Sequence, residues 1–271
     1  MPASDILREL NLDRYDRNAR LQPALLLLLP LFLFVAVWLP EVWTMAGTLV
    51  SILVASGVTF FLAQVARRSG SRLETKLGDQ VGREYSARLL CHEDDRLPSE
   101  QKERLQAFLK QHGRRVPTLE EEREDPDKTR AAWLSAVKWL LEITRSQADK
   151  SLLLNENIAY GFWRNLLALK AAALTVLVIV LGCDAFFMYR RGQADPHFLL
   201  GAALAVFCLA AIATWVIVVR KQAVLDASRA YADRLFSQVD NPAVVKELAI
   251  VGAPSRESPS VPQGEEKATP R

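Results

Sequence analysis

The chain has 271 residues, half of them apolar and 24% charged, which excludes both an ordinary soluble domain and a disordered chain. Its net charge of +3, from 34 basic and 31 acidic groups interleaved along the sequence, excludes nucleic acid as the main partner. Of the three cysteines, Cys183 and Cys208 lie inside apolar runs and only Cys91 lies elsewhere, so neither a disulfide framework nor a paired-cysteine zinc motif is available.

Four apolar runs, 22–39, 42–66, 166–189 and 198–219, take up about a third of the chain. Each reaches the ~20 residues that a helix needs to cross a bilayer. The expected fold is an all-α membrane protein with four transmembrane helices arranged 2+2 around a cytoplasmic helical insert. In chain order this gives a cytoplasmic N-terminal arm (1–21), a first transmembrane hairpin (22–66), a cytoplasmic helical domain (67–165), a second hairpin (166–219), a juxtamembrane helix (220–251) and a disordered tail (252–271). The arm balances Arg8, Arg14, Arg17 and Arg20 with four acids, unlike the short, purely basic start of a secretory signal, so the first span is expected to stay. Sixteen lysines and arginines flank the spans on one side and two on the other. That asymmetry puts both termini and the insert in the cytoplasm, with the bacterial inner membrane as the default location.

In the first span, Pro30 removes a backbone hydrogen bond and either kinks the helix or is simply tolerated there. In the second, Gly47, Ser51, Ala55, Thr59 and Ala63 recur every fourth residue, and small residues at that spacing form a close-packing face between membrane helices. The face serves either the hairpin partner or a second subunit. Gly201 and Ala205 begin a shorter version in the last span. Asp184 is the charge lying well inside an apolar run, about a turn from its outer end. It reads as a carboxylate paired with Arg191 or snorkelling to the interface, or else as a group on an ion pathway. Lys170 reads as a snorkelling anchor, and Trp38, Trp43, Phe186, Phe187 and Tyr189 as an interfacial aromatic belt.

The insert reads as all-helical. Leu73, Leu77, Val81, Tyr85 and Leu89 mark one face at four-residue spacing, which predicts a helix projecting from the second span, weakened by Gly78 and Gly82. A second helix starts near Ser99, presents Leu105, Phe108 and Leu109, and stops at Gly113. Thr118 and Glu121 form a capping box, within an acidic stretch at 120–127 that reads as a first turn plus solvated loop or as a patch for a basic partner. A long helix over 127–149 then presents Trp133, Val137, Leu140, Leu141 and Thr144 to a core. Beyond the last span, Val224, Ser228, Tyr231, Leu235 and Val239 make an amphipathic helix, and the proline-rich 252–271 should be disordered.

The stretch 153–165 mixes amides, a carboxylate, aromatics and an arginine at the membrane face. Asn155, Glu156, Asn157, Tyr160 and Arg164 are the candidate ligand or coupling residues, since helical spacing stacks Glu156 on Tyr160 and Tyr160 on Arg164. The competing reading is an interfacial collar. Cys91, His92, Glu93, Asp94 and Asp95 offer metal-binding atoms, but adjacent side chains do not readily converge on one ion. Phosphate loops, nucleophile elbows and paired-histidine zinc helices are missing from the sequence. The expectation is a protein without enzymatic activity, cofactor or resident metal.

The layout of two spans, a cytoplasmic helical insert, two more spans and a cytoplasmic tail resembles the four-span effectors of bacterial nucleotide-signalled antiphage systems. The resemblance is one of architecture and carries over no binding residue. It implies an insert that senses a signal and spans that assemble into a pore or otherwise disrupt the membrane. Two functions are therefore expected in competition. One is an oligomeric, channel-like membrane effector gated through its cytoplasmic domain by a small-molecule or protein signal. The other is a non-conducting membrane scaffold that recruits cytoplasmic partners. A secondary transporter fits less well, for want of paired broken helices.

Overall fold

A computed structural model describes residues 14–40, 58–144, 152–241 and 244; the described residues form helices and connecting turns, with no strand among them. A π-helical turn at Asp16–Leu21 leads into α1 (Gln22–Trp38), followed by α2 (Val58–Leu77), α3 (Gly82–Leu90), α4 (Ser99–Gln111), α5 (Leu119–Glu124), α6 (Pro126–Thr144), α7 (Leu152–Arg191), α8 (Phe198–Ile217) and α9 (Lys221–Phe236). Three of the described helices, rather than four, are long and apolar enough to cross a membrane: Asp16–Trp38, Leu152–Arg191 and Phe198–Ile217. Most of the second expected span, with Gly47, Ser51 and Ala55 of its small-residue stripe, lies outside the described residues, as do Trp43 and the tail. Thr59 falls in the first turn of α2, and Ala63 is buried.

The entry to α1 is shaped by proline. Pro23 has no N–H to give the carbonyl of Ala19, and Asn165 of α7 supplies the missing donor through Nδ2 at 2.7 Å. The described part of the expected arm, 14–21, is helical and continuous with α1. Downstream, the single projecting helix expected over residues 73–89 is broken. Gly78 and Gly82 adopt φ of +56° and +64°, and Val81 between them is extended, a left-handed excursion that glycine makes without a Cβ penalty. The four-residue apolar spacing persists across the break because Val81, Tyr85 and Leu89 still turn into the core.

That core is built by α3, α4, α6, the first turns of α7, and α9, around Leu90, Leu105, Leu109, Trp133, Val137, Leu140, Tyr160, Val224, Leu235 and Phe236. The helix expected to lie beside the membrane, α9, is thus part of this core, and the boundary expected at 165/166 falls inside one unbroken helix. The start of α4 at Ser99, its stop at Gly113 (φ +68°) and the Thr118–Glu121 capping box stand where the sequence puts them. The acidic stretch is not wholly solvated. Glu122 is buried and accepts from the His92 backbone N–H at 2.9 Å and from Trp133 Nε1 at 2.8 Å. Lys102 Nζ donates to the Cys91 carbonyl at 2.7 Å and to that of Asp94, closing the loop after α3. The Cys91 thiol is pushed up to about 11, chiefly by burial and then by Glu122 and Asp94, so it is protonated at neutral pH.

The apolar bundle packs α1 and α8 against the long α7 around Leu166, Ala173, Leu177, Val180, Leu204, Cys208 and Trp215. Lys170 does more than snorkel: its Nζ donates to the carbonyls of Val219 (2.7 Å) and Val216 (3.3 Å), satisfying the end of α8. Glu122→Ala strips two buried donors of their acceptor and is expected to destabilise the protein by about 1–3 kcal/mol, read as a lowered thermal midpoint in detergent with helicity retained below it.

Candidate functional site

Arg164 sits two residues from the start of the apolar stretch of α7, yet it is 8% exposed. A guanidinium is tolerated there only if paired, and its partner is Glu74, ninety residues away on α2. The same guanidinium lies 5.4 Å from the centre of the Tyr160 ring. Two glycines let the helices come this close. A Cβ on Gly161 would stand 2.6 Å from the Tyr15 hydroxyl, and one on Gly70 would collide with the Asn165 amide.

Beside this pair opens a cavity of about 410 Å3, at the junction between the apolar bundle and the core of shorter helices. Arg20, Arg67, Arg83 and Arg164 line it, with Glu74 as the single acid, together with Tyr15, Tyr160, Tyr231 and Asn157. Tyr160 and Tyr231 stack with ring planes 8° apart at 6.2 Å. Gly82 forms part of the wall and donates its backbone N–H to Ser228 Oγ at 2.8 Å. A Cβ here would strike Glu74, and the positive φ of Gly82 favours glycine again. Burial, and secondarily the field of nearby Tyr15, raises the Tyr231 phenol above its ordinary range, while Arg83 opposes the shift. It stays protonated as a hydrogen-bond donor.

Of the five residues expected here, Asn157, Tyr160 and Arg164 line the cavity. Asn155 is exposed and instead accepts from Arg14 Nη2 at 3.0 Å, and Glu156 is half-buried outside the lining. Sequence reasoning did not select Glu74, Arg67, Arg83, Arg20, Tyr15 or Tyr231. Glu74 carried one signal, as the lone acid among the basic residues of 67–76.

At the other end of α7, Asp184 is fully buried and accepts from Trp38 Nε1 at 2.7 Å. Its other oxygen has no hydrogen-bond partner among the described residues. The expected pairing with Arg191 does not form. The Arg191 guanidinium lies over the Trp38 ring at 5.4 Å, donates to the Trp38 carbonyl at 3.4 Å and reaches Asp195 at 3.7 Å. Trp38 is correspondingly a buried lock, 1% exposed, not a belt residue. Phe186 and Tyr189 do face outward. Gly201 admits the indole, since a Cβ there would lie 2.6 Å from Trp38 Cζ2.

Among the described residues, no group of three histidines, cysteines or acids is arranged to hold a metal ion. The atoms that looked metal-binding have structural roles: His92 donates through Nε2 to the Pro117 carbonyl at 2.9 Å. Hydrogen bonds from the Arg96 side chain and backbone, against the effect of partial burial, hold the Asp94 carboxyl below its usual range. Glu74→Leu leaves Arg164 buried without its counter-ion and should cost about 1–3 kcal/mol, measured as a fall in thermal midpoint that Glu74→Asp partly restores. The chain matches no protein-family model, no curated protein and no solved structure.

Proposed function

We propose that the protein is an oligomeric, channel-like membrane effector whose cytoplasmic helical unit controls its spans. In this reading the four spans lie 2+2 in the inner membrane with both termini cytoplasmic, and a signal acting on the insert is passed to the bundle. The observation that carries the reading is the continuity of α7. Its 40 residues run from the cytoplasmic core, past the Arg164–Glu74 pair and the cavity, to the Asp184–Trp38 contact. A helix is stiff along its axis, so displacement or rotation at the cavity is delivered to the far end of the bundle without a hinge. A carboxylate buried among apolar helices is costly and supports a role in the spans' action.

A second reading, the non-conducting scaffold that recruits cytoplasmic partners, is favoured by the outward faces of α7 and α8. Val178, Ile179, Val206 and Leu209 are exposed there, and no polar stripe accompanies them. Subunit number separates the two. Native mass spectrometry from nanodiscs is expected to give a ring of four or more chains, enough helices to enclose a pore; a monomer or dimer moves the assignment to the scaffold. In liposomes, Asp184→Asn is expected to change ion flux, and an unchanged current would leave the carboxylate a structural group that anchors Trp38.

A further inference from the structure

We infer that the junction cavity is a binding site for a phosphate group, carried by a phospholipid headgroup or by a soluble phosphate ester. The inference deepens the proposed function by naming the class of ligand its cytoplasmic unit would sense. Three observations converge on it. The first is an excess of positive charge: four arginines face one glutamate around a volume of about 410 Å3, within the range of small-molecule pockets. Arg20 is paired with Asp16 and Arg164 with Glu74, whereas Arg67 and Arg83 make no ion pair among the described residues. The second is unused hydrogen-bonding capacity at buried positions. Arg20 Nε and Arg164 Nε lack a hydrogen-bond partner among the described residues, and buried donors left so are rare without a missing acceptor. The third is depth. Arg20, Arg67 and Arg164 each stand one or two residues outside an apolar run, so the cavity lies where phospholipid phosphates and the cytoplasmic solution meet.

Guanidinium groups match phosphate because their planar forks donate in pairs to its oxygens and they are weakly hydrated. A carboxylate, with two oxygens and one charge, cannot satisfy several arginines at once. A phosphate monoester, with three terminal oxygens and up to two charges, can, and a phosphodiester headgroup adds two ester oxygens to its two terminal ones at a single charge. The phosphate competes with Glu74 for Arg164, so occupancy loosens the α2–α7 pair. This competition gives the ligand differential affinity for two arrangements of the junction, the condition for a ligand to shift a conformational equilibrium.

The test uses the delipidated full-length protein in non-ionic detergent with inorganic pyrophosphate as the soluble probe. In parallel it uses nanodiscs of phosphatidylcholine alone or mixed with phosphatidylglycerol as the lipid probe. Thermal midpoint and native mass spectrometry are read in both arms. Binding of at least one probe is expected, and Arg67→Gln with Arg83→Gln is expected to weaken it about tenfold or more. Both side chains are exposed, so the substitution spares the fold. Glu74→Gln is expected to tighten binding by removing the competing carboxylate, and Arg123→Gln, remote from the cavity, to leave it unchanged. Binding of pyrophosphate alone assigns a soluble phosphate ester, retention of phosphatidylglycerol alone assigns a headgroup, and both together support the shared chemistry. If neither probe binds, or if the Arg67/Arg83 double variant binds as the parent does, the inference is overturned. The readout needs neither flux nor assembly: binding without flux defeats the channel reading alone, and a ring without binding defeats this inference alone.

Discussion

A guanidinium buried two residues from the apolar stretch of α7 must be neutralised, and that requirement organises the junction of this protein. Taking Arg164 from water unpaired would cost several kcal/mol, and Glu74 on α2 is the acid that meets it. The pairing draws α2 against α7, and the close approach is affordable sterically because Gly70 and Gly161 present no side chain. Asn165, next in sequence to Arg164, then faces the turn before α1 and supplies the donor that Pro23 withholds from Ala19. Three segments distant in the chain are tied together within one helical turn of α7. The cavity is the space left beside these fixed polar groups.

The far end of α7 shows the same logic in an apolar setting. Asp184 needs a donor and finds the Trp38 indole, and Gly201 lets that indole lie between α1 and α8. Arg191 covers the ring from outside. The two polar contacts are twenty residues apart on one helix, about 30 Å along its axis. Between them lies tightly packed apolar surface, which resists local deformation.

Much of this architecture is legible in the sequence, and the exceptions have physical reasons. Local chemistry was readable: Pro98 and Ser99 at the start of α4, the Thr118–Glu121 box, the apolar faces of α6 and α9, and Gly113 as a stop all act through neighbours in sequence. The break at residues 78–81 was hidden because the apolar spacing of a single helix continues through it, although both glycines that permit it were visible. Asn157, Tyr160 and Arg164 were selectable by their density at the membrane face. Glu74, Tyr15 and Tyr231 were not, since each reaches the cavity by tertiary packing across tens of residues. Proximity within a helix suggested Arg191 for Asp184, but the indole N–H from another helix reaches one of the carboxylate oxygens instead.

The central claim is that the Arg164–Glu74 pair holds the π-helical turn, α2 and α7 together as one junction. Hydrogen–deuterium exchange of the parent and Arg164→Gln in identical nanodiscs tests it most directly. The account predicts that uptake rises together in 16–21, 70–77 and 152–165, while α4 and α6 exchange as in the parent. Faster exchange confined to the substituted turn of α7, or none at all, would contradict it.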